Sequence, residues 1–244
     1  MKKGEKKAPT VMLAAHMDEI GLMVRYIDDN GFIKFSTIGG INDQMLMNQT
    51  VTVHSSVGED VVGVIGSKPP HVTKPEERNK VVKAEDMFID IGAKDKADAR
   101  KYVQEGDPVH FHSYHQEMLN GYLSARAIDD RGGAFIVLEA LKRAKEKGCK
   151  IGVYSVTTVG EETSLRGAHW AANRVKPDVA IIVDVTYATD YAGTNPEESG
   201  DVKLGAGPVI CNSSMANKKV NEFLKTCANE KKIPYQMETF IGRT

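Results

Sequence analysis

The sequence predicts an α/β fold: a mainly parallel sheet with helices on both faces, interrupted by a β-rich, barrel-like insertion. Three observations carry that expectation. Short apolar runs at residues 11–15, 151–159 and 179–183 read as strands covered by other structure. After Gly121 the runs alternate with helical patterns, the signature of strand–helix–strand units around a parallel sheet. Between the first run and Gly121 the chain is instead dominated by strand-like runs and turn residues, so the first strand of the sheet is separated from the others.

In chain order, residues 11–15 form a continuous apolar strand that ends on His16-Met17-Asp18. Residues 22–27 and 32–35 flank Asp28-Asp29-Asn30-Gly31, and Asn-Gly between two such runs is a strong hairpin signal. Residues 51–57 and 61–65, joined at Gly58-Glu59-Asp60, predict a second hairpin. The proline-bearing stretch 68–76 reads as an exposed loop, 94–105 as one short helix and 109–113 as a strand after Gly106-Asp107-Pro108. Residues 133–145 place Phe135, Leu138 and Leu141 at helical spacing, with Ile136 and Val137 beside them. A helix at 165–175, an amphipathic helix at 216–230 and a strand from 235 to 240 follow. The implied division is a discontinuous α/β domain, residues 1–21 and 116–244, around a β-rich insertion at 22–115.

Charge excludes several function classes. Lys plus Arg number 32 and Asp plus Glu 33, so no basic field points to nucleic acid or to an anionic membrane. The apolar run after the Lys-rich start is too short for a signal-peptide core or a membrane span. Cys149, Cys211 and Cys227 show no CxxC spacing, which argues against a disulfide framework and a cysteine zinc site and places the chain in the reducing cytoplasm.

The chemistry collects where strands end. In open α/β sheets, sites form beyond the carboxyl ends of the strands. The three apolar strands here run into His16, into Gly160-Glu161-Glu162 and into Asp184, and Asp129-Asp130 stands just before a helix. One histidine with several carboxylates suits zinc, cobalt or manganese. Five carboxylates brought together could not all stay ionised without a cation, because like charges raise each other's pKa. Two divalent ions would resolve that repulsion, with one Asp of the 129–130 pair available to bridge them. Each place also has an ordinary structural reading: a loop histidine, a first-turn acidic pair, a turn cap and a helix N-cap.

Four stretches occur in order: Ala15-His16-Met17-Asp18-Glu19-Ile20-Gly21, Ala127-Ile128-Asp129-Asp130-Arg131, Val159-Gly160-Glu161-Glu162 with Leu165-Arg166-Gly167-Ala168, and Asp184-Val185-Thr186. Together they resemble the metallo-aminopeptidases that include the tetrahedral (TET) and glutamyl aminopeptidases, some of them labelled cellulase M or endoglucanase. The resemblance implies a hydrolase that removes N-terminal residues from peptide substrates with two divalent metal ions. It implies His16, Asp129, Glu162 and Asp184 as metal ligands, Asp129 bridging, Asp18 orienting His16, and Glu161 as the general base. It implies that the insertion at 22–115 serves dimerisation, and that dimers assemble further into a homo-oligomer as large as a dodecamer. The family's further histidine ligand lies downstream of a Gly-rich Thr-Asp motif, where this chain reaches Ile241-Gly242-Arg243-Thr244; the second metal position is therefore expected to be incomplete, and the chain to correspond to an internal portion of the family's length.

Two other functions fit some of these residues. A glycoside hydrolase also needs paired carboxylates, but has no use for His16. A catalytically incomplete relative would keep the insertion and lack turnover. Outside the main cluster, His110 and His112 share a strand face and His115 could approach, with solvated strand histidines as the ordinary reading, whereas His54, His71 and His169 suggest no partner.

Overall fold

The apolar run after residue 10 becomes the middle strand of a parallel sheet. The computed structural model describes residues 8–77, 80–112 and 115–239. Strand β1 (Thr10–His16) buries Met12, Ala14, Ala15 and His16. The chain then leaves the sheet through β2 (Gly21–Ile27), β3 (Ile33–Ile38), β4 (Thr50–Val53), β5 (Val61–Gly66), β6 (Phe88–Asp90), the one-turn helix α1 (Lys96–Ala99) and β7 (Pro108–Phe111). These six strands close into a barrel in the order β2-β3-β6-β5-β4-β7. Closure pairs every strand on both sides, which removes exposed edges. Alternate residues point inward, so Leu22, Val24, Ile33, Phe35, Val51, Val53, Ile65, Ile89 and Val109 form one buried cluster.

Both predicted hairpins are present, as antiparallel β2–β3 and β4–β5. The first turn is held by the Asp28 carboxylate, whose Oδ1 accepts from the Asn30 and Phe32 amides at 2.9 Å each. The fourth strand stops at Val53 rather than Val57, because Ser55 Oγ accepts from the Val57 and Gly58 amides and turns the chain. The helix expected at 94–105 shortens to α1, capped by Asp95, whose side chain accepts from the Asp98 amide.

A short hairpin, β8 (Gln116–Glu117) and β9 (Leu123–Ser124), leads to α2 (Ile128–Glu146), β10 (Gly152–Thr158), α3 (Glu161–Ser164), α4 (Arg166–Val175) and β11 (Val179–Ile182). The sheet has the order β10-β1-β11 and is parallel throughout. Its register puts His16 beside Thr158 and Ala14 beside Ile182, so the three carboxyl ends share one edge. Helices α2 and α4 both pack on β1 and β10. The face of α2 that meets the sheet is not the one its large residues suggest. Gly133, Ala134 and Val137 are buried, whereas Phe135, Ile136 and Leu138 are more than half exposed. Small residues let the helix axis approach the sheet closely, so packing follows side-chain size here and not apolar spacing alone.

The described residues pack as two compact units, divided between Val183 and Asp184. In the second, after the one-turn helix α5 (Pro196–Ser199), strand β12 (Val209–Asn212) pairs in parallel with β13 (Gln236–Thr239). Between them α6 (Lys218–Lys231) packs on β12, capped by Asn217 and tied by Asn221 Nδ2, which donates to the Cys211 carbonyl at 2.9 Å. The β12 run is too short to stand out in the sequence. Residues 113 and 240, the last of two expected strands, lie outside the described residues. Among the described residues no helix is long and apolar enough to cross a membrane.

Ile89 is fully buried at the β3–β6–β5 seam of the barrel. Ile89→Ala is expected to lower the unfolding free energy by about 2–5 kcal/mol, read as a fall in the urea midpoint at unchanged slope.

Candidate metal centre

His16 is the last residue of β1 and is 4% exposed. Its main-chain amide donates to Asp130 Oδ2 at 3.2 Å, and its ring is fixed at both nitrogens. Nδ1 lies 3.1 Å from the main-chain carbonyl oxygen of Asp18 and 3.4 Å from its carboxylate Oδ1. A carbonyl oxygen can only accept, so Nδ1 carries a hydrogen, and whenever the ring is neutral Nε2 presents a lone pair. That lone pair faces Asp129 Oδ1 at 3.0 Å, with Glu161 Oε2 at 3.8 Å. Two acceptors pointed at each other at this distance require a proton or a cation between them.

The carboxylates arrive from separate elements. Asp129 and Asp130 open α2, and the peptide bond between them is cis. Their side chains part: Asp129 is exposed toward His16 Nε2, while Asp130 is fully buried. Asp130 Oδ1 accepts from the Gly133 amide at 3.0 Å in the manner of an N-cap, so the ordinary structural reading holds for this half of the pair. Position 133 must be glycine, since a Cβ there would lie 2.3 Å from Asp130 Oδ1. Glu161 and Glu162 begin α3 just beyond β10, and their amides donate to the two carboxylate oxygens of Asp18 at 3.4 and 3.3 Å. Asp18 thus binds the turn after β1 to the first turn after β10 in addition to touching His16. Asp184 is half-buried and opens the second unit, one residue past Val183, whose amide donates to the Ala14 carbonyl at 2.8 Å.

One nitrogen of His16 and one carboxylate oxygen each from Asp129 and Glu162 lie within 4.8 Å of one another. Burial, then the charge of Asp129, push the Glu162 carboxyl up to about 7; Glu161 and Asp18 add to the effect and His16 opposes it. Gly39, at φ +77°, brings the loop after β3 against this residue, and a side chain there would meet Ile20 at 2.7 Å and Glu162 Oε2 at 3.0 Å. No local sequence pattern marks Gly39 for this contact, nor Glu19, whose carboxylate is held by Arg126 Nε at 3.0 Å and Arg131 Nη2 at 3.3 Å. Arg131 Nε also donates to the Met17 carbonyl, and Arg126 Nη1 donates to the Phe111 carbonyl of β7 at 2.9 Å.

The family model of the M42 glutamyl aminopeptidases matches residues 1–244. The chain belongs to that family. Within it, an aminopeptidase relative from Acetivibrio thermocellus is 39% identical over 242 residues, 98% of this chain and 68% of the relative. The TET aminopeptidase of a marine sediment Thaumarchaeota archaeon is 38% identical, with a TM-score of 0.92 over 99% of this chain and 69% of its own. The TET1 peptidase of Pyrococcus horikoshii, described as assembling into a tetrahedron or a large octahedral shell, is 35% identical, with a TM-score of 0.85 over 99% of this chain and 71% of its own. The predicted fold class is therefore the fold of the M42 aminopeptidases, a parallel sheet with a closed six-stranded barrel.

Because the Glu162 carboxyl is raised from 4.5 to about 7, the folded protein holds its proton more tightly than the unfolded chain between those values. Ionised Glu162 therefore lowers the stability of the metal-free M42 chain above pH 7, and contributes nothing below about pH 4.5. Glu162→Gln is expected to raise the melting temperature of metal-free protein at pH 8 and to leave it little changed at pH 5, by calorimetry at both pH values.

Proposed function

We propose that this M42 chain is a metal-dependent aminopeptidase that hydrolyses N-terminal residues from peptides. The observation that carries the reading is the His16 ring: Nδ1 is engaged by Asp18, and Nε2 points into a cluster of carboxylates with which it could share a metal ion. A nitrogen and several hard oxygens form a donor set for zinc or cobalt, with manganese also suited.

His16, Asp129, Glu162 and Asp184 are proposed as the ligands of two such ions, Asp129 serving both; Asp184 takes its role from the motif resemblance. Divalent ions held there would supply Lewis acidity toward a peptide carbonyl and make a water molecule acidic near neutral pH. The protein's own groups do the rest. Asp18 fixes the tautomer and direction of His16, the task of carboxylates behind metal-binding histidines. Glu161 is placed beside His16 Nε2 with its amide anchored on Asp18; it takes a proton from the attacking water and returns it to the departing amine. The free α-amine of a peptide, attracted to this acidic cluster, would set the cut at the N-terminus.

The closed barrel within residues 22–115 is proposed as a dimerisation domain, and the chain as part of a homo-oligomer, on the strength of the assemblies described for the Pyrococcus horikoshii peptidase. Three cysteines without CxxC spacing suit a cytoplasmic location.

Glu161→Gln is expected to reduce kcat on aminoacyl substrates by about 10²–10⁴-fold while bound metal per chain stays unchanged. Loss of metal together with activity would make Glu161 a ligand instead. Asp129→Ala should lower the metal content more than Glu161→Gln does, and equal content in the two variants would remove the bridging role. Chelation followed by dialysis should abolish turnover and zinc or cobalt should restore it; a glycoside hydrolase built on the same carboxylates would be indifferent.

A further inference from the structure

Strands β4 and β7 of the barrel pair with Thr52 opposite His110, and their inward residues are Val51, Val53 and Val109. The outward residues on this seam therefore include His110 and, one position beyond the end of β4, His54, whose amide donates to the Pro108 carbonyl at 2.8 Å. His54 and His110 are diagonal neighbours on one face, close enough for their rings to touch. The ring centroids are 4.4 Å apart, and His54 Nε2 stands 2.5 Å from His110 Nδ1. The other nitrogen of His54 is committed: Nδ1 lies 2.8 Å from Asp60 Oδ2. Asp60 is itself held, since its Oδ1 accepts from the Ser55 amide at 3.3 Å.

We propose that His54 and His110, with Asp60 behind His54, form a second metal site on the outer wall of the barrel, suited to a borderline ion of the zinc, nickel or copper class. A carboxylate on Nδ1 fixes the histidine tautomer, turns the Nε2 lone pair outward and makes it more basic, which is how carboxylate–histidine–metal triads are built. The second nitrogen of the pair converges on the same point. Imidazole nitrogens suit these ions, and ligand–metal distances of about 2.0–2.1 Å ask only that two partly exposed rings part slightly. Burial, with the nearby Arg126 charge, holds His110 down to about 4, so its ring is neutral and able to ligate at pH 7. Asp60 adds the negative charge that offsets Arg126, whose guanidinium is already engaged by Glu19. His112 lies one residue past the end of β7, with its amide on the Thr50 carbonyl. The ring contact of His110 thus runs across two strands, to His54.

The test is a zinc titration of the metal-free full chain, compared with the His54→Ala/His110→Ala double variant. Wild type is expected to bind one ion more per chain, and the ring-nitrogen NMR resonances of His54 and His110 are expected to move as zinc is added. The residues of the aminopeptidase cluster are untouched, so hydrolysis should be equal in the two proteins. Asp60→Asn keeps both rings and should weaken the extra ion by about 10–100-fold; it tests the site even if the double variant does not fold. Equal zinc in wild type and double variant overturns the proposal. So does an unmoved pair of ring resonances, or an unchanged affinity in Asp60→Asn.

Discussion

The main-chain carbonyl of Asp18 accepts from His16 Nδ1, and most of the site follows from that contact. It commits the ring to one tautomer and aims the remaining lone pair at Asp129. The same residue's carboxylate accepts from the amides of Glu161 and Glu162, so the orientation of the histidine and the entry of the acidic turn after β10 are set by one side chain and its own backbone. None of this geometry survives a slip of β1 against β10 by one residue. A slip would turn His16 to the opposite face of the sheet and carry Asp18 away from α3. The buried Met12, Ala14 and Ala15 hold that register, and the stability of the sheet is therefore also the accuracy of the site.

Gathering acidic groups at one sheet edge is unfavourable in the protein alone. The upward displacement of Glu162 measures that strain, because burial and its acidic neighbours disfavour its charge more than His16 favours it. The two members of the Asp129-Asp130 pair divide the work. Asp130 spends both oxygens on main-chain amides, of His16 and Gly133, and ties the start of α2 to the end of β1. Asp129, relieved of any capping duty, faces His16. Adjacent residues of the same type thus differ in function because one is enclosed by donors and the other is exposed to a lone pair.

Much of this was legible in the sequence, and the reasons differ by element. The three sheet strands were visible because each is a local apolar run, and the candidate site residues because His16, Glu161-Glu162 and Asp184 stand at or just past the ends of those runs. Hairpin β2–β3 announced itself through Asn30-Gly31. The packing face of α2 did not, since helical spacing of Phe135 and Leu138 says nothing about how closely Gly133 and Ala134 allow the helix to approach. Equally hidden were the partners of His54 and of Glu19. Those contacts depend on the register of β4 against β7 and on where Arg126 falls after the barrel closes, distances of tens of residues that no local pattern encodes.

Among the described residues, the barrel approaches the acidic cluster through the loop at Gly39, and Arg126 links the end of β7 to Glu19 beside it. Gly39 brings the backbone after β3 against Glu162, with no Cβ to keep it away. Arg126 reaches from the approach to α2 to the Phe111 carbonyl at the end of β7 and to Glu19 beyond β1. Glu162 is then confined from the barrel side by Gly39 and from the sheet side by Asp18, which accepts from its amide. That confinement keeps its carboxylate near Asp129 despite the mutual repulsion. The β-rich insertion accordingly shapes the acidic cluster directly, whatever further role its outer surface has in binding ions or other copies of the chain.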